Sequence, residues 1–208
     1  VVTPNHKLHL FDQLTNKFIN IEVQDYLKLS KWKQSKLNGV IHSGIVYSKS
    51  NISLSIDPYY MGLFLGDGSQ GKYSILVNKN KDLEIFEYIQ TLALKENHIF
   101  SCIHRNLKRP EYNDQMYDLK LNSKVKKQGY TYNFKKLGLS IKHIPDIYKY
   151  SSIEQRFELL AGLIDSDGYY NSKKARFEIG VKQDGLFKQI CDLIRDLGFI
   201  VYKGKRKN

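Results

Sequence analysis

The sequence predicts an α+β protein in two parts: a β-rich segment over residues 1–56, and a repeated helix-and-strand unit over residues 57–150 and 151–208. Three observations carry this expectation. Residues 1–56 hold short alternating runs broken by turn residues. Two segments, 60–68 and 160–168, match in register. Each match is followed by the same succession of strand-like and helix-like periodicities. A hydrophobic fraction of 41% and an aromatic fraction of 12% exclude a disordered chain, and 208 residues suffice to bury a proper core.

In the first part, Lys7-Leu8-His9-Leu10 and Lys17-Phe18-Ile19-Asn20-Ile21 alternate apolar with polar residues on either side of Asp12 to Asn16. They read as two strands and a turn, followed by an amphipathic stretch from Val23 to Leu29 and a basic segment. Ser48-Lys49-Ser50-Asn51 reads as a linker. Asp57 then precedes Pro58, a strong helix start: the carboxylate accepts from free N–H groups of the first turn, and proline is pre-set for the first helical position.

The repeat pairs Tyr60-Met61-Gly62-Leu63-Phe64-Leu65-Gly66-Asp67-Gly68 with Leu160-Ala161-Gly162-Leu163-Ile164-Asp165-Ser166-Asp167-Gly168. Downstream of the first copy, Val77 to Asp82 opens a helical pattern through Phe86, Ile89 and Leu92. Downstream of the second, Val181 to Asp184 opens one through Phe187, Ile190 and Ile194. Strand periodicity sets Tyr117, Leu119 and Leu121 against Asp118, Lys120 and Asn122. It likewise sets Phe177, Ile179 and Val181 against Arg176, Glu178 and Lys182. The first copy runs to about Tyr150. The second reaches Asn208 without a counterpart of residues 112–150, so a truncated second copy is expected.

Charge narrows the partners. Thirty-three Lys+Arg against 21 Asp+Glu leave a net charge of +12, the footprint of a polyanion-binding protein. Cys102 and Cys191 form no CxxC pair, and the histidines lack metal-ligand spacing, which excludes a zinc site and fits a reduced compartment. No apolar run approaches the roughly 20 residues that span a bilayer. A soluble, intracellular, monomeric protein without a membrane partner is expected.

Gly62 and Gly66 stand four apart on one helix face, and Gly162 and Ser166 repeat the spacing. Small residues so placed let two helix backbones touch. If the two faces meet, Asp67 and Asp167 converge at the helix C-termini. There the macrodipole is negative and like charges repel. A divalent cation resolves that conflict through the two carboxylates and the free carbonyls near Gly66 and Ser166, and it can activate water for phosphodiester hydrolysis. Gly68 and Gly168 are expected in the left-handed turn that ends each helix. A calcium-loop reading of Asp165-Ser166-Asp167-Gly168 fails, because glycine comes too early and Arg176 stands where a bidentate Glu is required.

At these residues the sequence resembles the LAGLIDADG (dodecapeptide) homing endonucleases. Leu160 to Gly168 differs from the family's motif by one conservative residue, whereas Tyr60 to Gly68 is a degenerate form in which Leu65 replaces the first, structural Asp. The resemblance implies that Asp67 and Asp167 are the metal-binding catalytic acids for Mg2+, with Mn2+ able to substitute. Lys142-His143-Ile144-Pro145 looks like the family's Lys-x-Ile-Pro block, which makes Lys142 a catalytic candidate near the scissile phosphate. The implied fold is a pseudo-twofold αββαββα repeat whose sheets form a saddle on double-stranded DNA. Lys120, Asn122, Arg176, Glu178 and Lys182 would then face the grooves, and Arg105, Lys108 and Arg109 of the loop from His104 would contact phosphates.

Thr3-Pro4-Asn5-His6 resembles the Thr-x-x-His block of inteins, in which Thr and His act on the N-terminal splice-site bond. The stretch from Val23 to Leu27 also resembles the intein segment downstream of that block. The resemblance implies part of an all-β splicing (Hint) domain ahead of the endonuclease, and a host protein as partner. No Cys or Ser nucleophile precedes Val1 and Asn208 follows Lys207 rather than His, so self-splicing is not expected of this chain. The competing functions are a decayed endonuclease that binds DNA without cutting it, and an RNA maturase. Retention of both acids argues against the first, and the Thr-x-x-His block against the second.

Overall fold

The computed structural model describes residues 2–39, 44–47, 52–105 and 115–204. The linker at Ser48 to Asn51 lies outside the described residues. Contacts divide the chain into two compact units, Val1–Ser43 and Gly44–Asn208. The division falls before the boundary expected at residue 56 because the segment leading to Asp57 packs into the second unit. Ile56 is buried, Ile45 N donates to Asp196 O at 2.7 Å, and Gln155 reaches Ile52 O at 3.1 Å.

The first unit holds β1 (Lys7–Asp12), β2 (Lys17–Glu22), α1 (Val23–Lys28), α2 (Lys31–Gln34) and β3 (Leu37–Gly39). The expected hairpin pairs Lys7 with Glu22 through Asp12 with Lys17, and β3 adds to the other edge of β1 in the order β2-β1-β3. Asp12 is buried at the turn, where Oδ1 accepts from Leu14 N at 3.0 Å and Oδ2 from Lys33 Nζ at 2.9 Å. The Lys33 hydrogen bond holds its carboxyl below the usual carboxylate range.

The second unit begins with α3 (Pro58–Asp67), which runs directly into β4 (Gly68–Ser69). It continues through β5 (Ser74–Asn78), α4 (Leu83–Lys95), β6 (Ile99–His104), β7 (Met116–Asn122), α5 (Tyr130–Lys136) and α6 (Asp146–Lys149). The second motif helix α7 (Ile153–Asp167) then leads into β8 (Gly168–Asn171), β9 (Arg176–Ile179) and α8 (Asp184–Asp196). An antiparallel four-stranded sheet has the order β4-β5-β7-β6, and β8 pairs with β9 in a separate ribbon.

Both motif helices start on strong caps. Asp57 Oδ1 accepts from Tyr60 N at 3.0 Å with Pro58 in the first turn. Ser152 and Gln155 form a reciprocal capping box on α7, each bond 3.2 Å. α3 is apolar almost all round, and Tyr60, Met61, Leu63, Phe64 and Leu65 are all buried. α7 buries one stripe, Arg156, Leu159, Leu160, Gly162 and Leu163. A Cβ added to Gly62 would lie 2.2 Å from Leu159 O and 2.9 Å from Gly162 Cα; one added to Gly162 would lie 2.2 Å from Tyr59 O. The two backbones therefore touch, and because Gly66 meets Ser166 in the same order, the helices run in the same direction.

Three expectations need correction. Gly68 and Gly168 are extended, with φ −68° and −101°, not left-handed. Each helix turns straight into a strand, and glycine is needed because a Cβ would lie 2.2 Å from Phe64 O or 2.6 Å from Ile164 O. In α8 the expected Ile190 is buried and Ile194 packs against the core, but Leu186, Cys191 and Leu193 are also buried and the expected Phe187 is only half-buried. Phe177 belongs to the apolar row expected to face a core, yet it is 59% exposed in the β8–β9 ribbon. In β7 the expected alternation holds at Leu119 and Leu121, which are buried against Ile75 and Val77 of β5.

Gly62→Leu should cost roughly 3 kcal/mol or more, at the upper end of overpacking penalties, because backbone rather than a movable side chain opposes the new group. Gly185→Ala, with open space around its Cβ, should leave stability unchanged or slightly raised. Urea denaturation of both variants checks this. A Gly62→Leu protein as stable as the parent would mean that these helix faces do not touch.

Candidate active site at the paired helix ends

Four residues beyond the glycine crossing, the close approach continues at the helix ends. A Cβ on Gly66 would lie 2.0 Å from Ser166 Oγ and 3.4 Å from Asp167 Oδ2. Ser166 turns its hydroxyl back to donate to Gly162 O at 2.8 Å, so it takes little space between the helices. Asp67 and Asp167 are the last residues of α3 and α7. Both residues are exposed, yet their carboxylates stand partly among protein atoms.

The electrostatics reflect that crowding. Partial burial, and after it the charge of Asp167, pushes Asp67 up from 3.8 to about 6, with Lys142 working in the opposite direction. Burial also raises Asp167, against the charges of Lys142 and Lys182. Lys142 comes from the loop between α5 and α6 and donates its ammonium to Gly66 O, the carbonyl adjoining Asp67. Burial holds the Lys142 value down, opposed by the two aspartates. Its position is fixed two residues on, where Ile144 is buried, its N–H bonded to Gln189 Oε1 at 2.8 Å, and Pro145 starts α6.

The donor set fits a hard divalent cation. It consists of two converging carboxylates, both made costly by partial burial and Asp67 also by the charge of Asp167, beside carbonyls of two helix C-termini. Among the described residues no group of three or more His, Cys, Asp and Glu side chains gathers to hold a metal. A divalent ion held here would take one carboxylate from each helix, and other oxygens would have to complete its shell.

The other candidates are spread along the sheets. Arg105 is engaged by Asp118, its Nε 2.5 Å from Oδ2, while Ser74 Oγ donates to Oδ1 at 3.1 Å and Lys72 stands 3.6 Å away. Asp118 is only 4% exposed. Burial works to raise its carboxyl, but these hydrogen bonds and charges hold it below the usual range. Period-two reading placed Asp118 correctly on the polar row with Lys120 and Asn122, but not its burial; the signal was an acid in mid-strand with Ser74 and Arg105 on the flanking segments. Lys120 is half-buried, and Asn122 accepts from Thr131 Oγ1 at 3.3 Å. On the ribbon, Glu178 collects Tyr169 Oη at 2.7 Å, Arg176 at 2.9 Å and Asn171 at 3.1 Å, and these donors lower its carboxyl to about 2. Lys182 is exposed. Lys108 and Arg109 lie outside the described residues. In the first unit Thr3 and His6 are exposed and share a tight turn, His6 N donating to Thr3 O at 3.0 Å. Sequence reasoning missed the inter-helix tie from Tyr59 Oη to Asp165 Oδ2 at 2.7 Å, which no spacing rule announces.

The raised Asp67 gives a stability prediction. Between its unfolded value near 3.8 and its folded value near 6, the native state binds more protons than the unfolded state, so stability falls as pH rises through that window. In EDTA, Asp67→Asn should therefore raise Tm at pH 7 and flatten the decline between pH 4 and pH 7. Melts across that range decide it, and an unchanged profile would mean that the carboxylates do not crowd one another.

Known proteins resemble the chain at this site. The family model described as homing endonuclease matches residues 143–208. A solved structure of mesophilic variants of the homing endonuclease I-DmoI aligns with 69% of this chain and 77% of its own, at 16% identity and a TM-score of 0.45. No curated protein matches the sequence. The family-model match falls on the segment that contains Leu160 to Gly168, and the second copy of that motif, Tyr60 to Gly68, stands against it across the glycine contact.

Proposed function

We propose that this protein is an intein-borne, site-specific homing endonuclease that hydrolyses both strands of duplex DNA with Mg2+, for which Mn2+ can substitute. The observation that carries the reading is the meeting of Asp67, Asp167 and Lys142 at the ends of two helices held in backbone contact. One acid per helix suits a reaction performed once on each strand, and both acids reside on a single chain, which favours a monomer.

Asp67 and Asp167 would hold the metal, with the carbonyls of Gly66 and Ser166. When bound, it supplies an activated water and stabilises the leaving oxygen. Lys142 supplies a positive charge where phosphate charge develops. The Gly62–Gly162 contact keeps the acids in register without any movement of the backbone. Lys120, Asn122, Arg176 and Glu178 on the strands, Lys182 between β9 and α8, and Arg105, Lys108 and Arg109 form the proposed DNA-contacting set. Pairing Arg105 with Asp118 and Arg176 with Glu178 fixes each guanidinium while leaving N–H groups of the fork for phosphate or guanine. A net charge of +12 supports the same partner. No described helix is long and apolar enough to cross a membrane. The Thr3-Pro4-Asn5-His6 turn, beside a small antiparallel sheet, supports the intein assignment and with it a host protein as partner.

The test is selection of cut molecules from a randomised duplex library, then plasmid linearisation at the recovered site. Mg2+ or Mn2+ should be required. Asp67→Asn and Asp167→Asn should each lower double-strand cutting by more than roughly 10²-fold, the scale of losing one group that stabilises transition-state charge. Gel shifts in Ca2+ should show DNA binding retained. Normal cutting by both variants would refute the assignment of the acids; specific binding without cutting by the parent protein would identify a decayed enzyme.

A further inference from the structure

Lys142 stands in an unusual relation to the carboxylate pair. Its ammonium does not pair with either aspartate at hydrogen-bond distance; it donates to the carbonyl of Gly66, the residue before Asp67 at the end of α3. That carbonyl is one of the oxygens a divalent ion at Asp67 and Asp167 would use. An ammonium and a divalent ion on one oxygen would lie a few ångströms apart, well inside the screening length, so their joint occupation is disfavoured.

From this geometry we infer that Lys142 is a tethered counter-cation: it occupies the Gly66 carbonyl between the two acids while no divalent ion is held, and it leaves that carbonyl when one binds. The inference rests on the reading of Asp67 and Asp167 as metal-holding residues. The surroundings supply both the anchor and the mobility. Ile144 and Pro145 pin the backbone two and three residues on, whereas the four-carbon stem of Lys142 has rotatable bonds through which the ammonium can change partner. On a chain of net charge +12, a released ammonium would find its next partner on a DNA phosphate. DNA would then give Lys142 an alternative anion and free the Gly66 carbonyl, so duplex and divalent ion each tighten the other's binding by the same factor. The chain would hold metal weakly until it holds DNA.

Lys182 provides the comparison. Its charge also reaches Asp167, but it is exposed and makes no bond to the Gly66 carbonyl. A general field effect would make both lysines act alike; displacement singles out Lys142. The experiment measures Mn2+ binding to the whole chain, with and without duplex, for the parent, Lys142→Met and Lys182→Met. Lys142→Met should bind Mn2+ about tenfold tighter than the parent without DNA, within the range of ordinary coupling energies, and duplex should add little further. Lys182→Met should shift by less than about threefold, the size of a partly screened surface charge. In the unmutated protein, Mg2+ should move the ¹³C resonance of the Gly66 carbonyl and the ¹⁵Nζ resonance of Lys142, and not that of Lys182. This measurement stands even if a variant fails to fold. Equal tightening in the two variants, no tightening in Lys142→Met, or a Gly66 carbonyl unmoved by bound Mg2+ would overturn the inference. Absence of Mn2+ binding by the parent even with duplex would instead remove the metal reading beneath it.

Discussion

The structure depends on one contact, that of Gly62 with Gly162. Two helices that cross at a Cβ distance of 2.2 Å from the partner's backbone cannot be spaced by any side chain, so their separation and rotation are fixed. From that point to Asp67 and Asp167 is little more than one helical turn, too short a lever for the carboxylates to diverge. Convergence of the acids follows from packing, and it imposes an electrostatic cost at the negative ends of two macrodipoles. Partial burial raises both carboxyls, the charge of Asp167 raises Asp67 further, and Lys142 stands beside them to offset it. Packing energy thus holds together what charge would drive apart, the arrangement on which the proposed metal-holding role of the two acids rests.

The same economy of charge recurs on the strands. Asp118 draws Arg105, Lys72 and Ser74 around it, and Glu178 draws Arg176, Tyr169 and Asn171. In both clusters an acid accepts from several donors and so remains charged at low pH. Free arginines on a sheet would adopt many rotamers, each lost on binding. Anchored arginines have already given up that freedom, so less of a partner's binding energy is spent on ordering them.

Much of this was legible in the sequence because its determinants are local. Asp57-Pro58 states where α3 begins, and the doubled spacing Gly62–Gly66 and Gly162–Ser166 states which faces meet. Lys142 could be singled out only through the resemblance of its block, since its neighbours on the chain do not point to the helix ends. What stayed hidden was set by distant residues. Gly68 and Gly168 looked like left-handed caps because that is the commonest use of a glycine after a helix. Here the following strand leaves so closely against Phe64 and Ile164 that volume, not backbone handedness, excludes a side chain. Asp118 sits on a row whose alternation is right, but its burial depends on Arg105 and Lys72 folding over it. In α8 Ile190 and Ile194 face the core as expected, but Leu186 takes the place expected for Phe187, because periodicity alone cannot say which of two adjacent apolar residues faces inward.

The two motif copies differ where their surroundings differ. At the first acidic position of the motif, α7 carries Asp165, which is exposed and accepts from Tyr59 Oη at 2.7 Å, tying its helix to α3. The matching position in α3 is Leu65, 1% exposed and part of the main core. The asymmetry follows from the layers. α7 covers one side of α3 and the four-stranded sheet covers another, so nearly every residue of α3 is enclosed, whereas α7 keeps an outer line through Glu154, Glu158, Ala161 and Asp165. An aspartate at position 65 would be a buried acid without a partner, which costs several kcal/mol or forces protonation, on the order of the penalty for an unpaired buried charge. Degeneracy in the first copy is therefore confined to the position that packing forbids to be polar. Asp67 lies beyond that enclosure, at the cleft, and there the two copies agree.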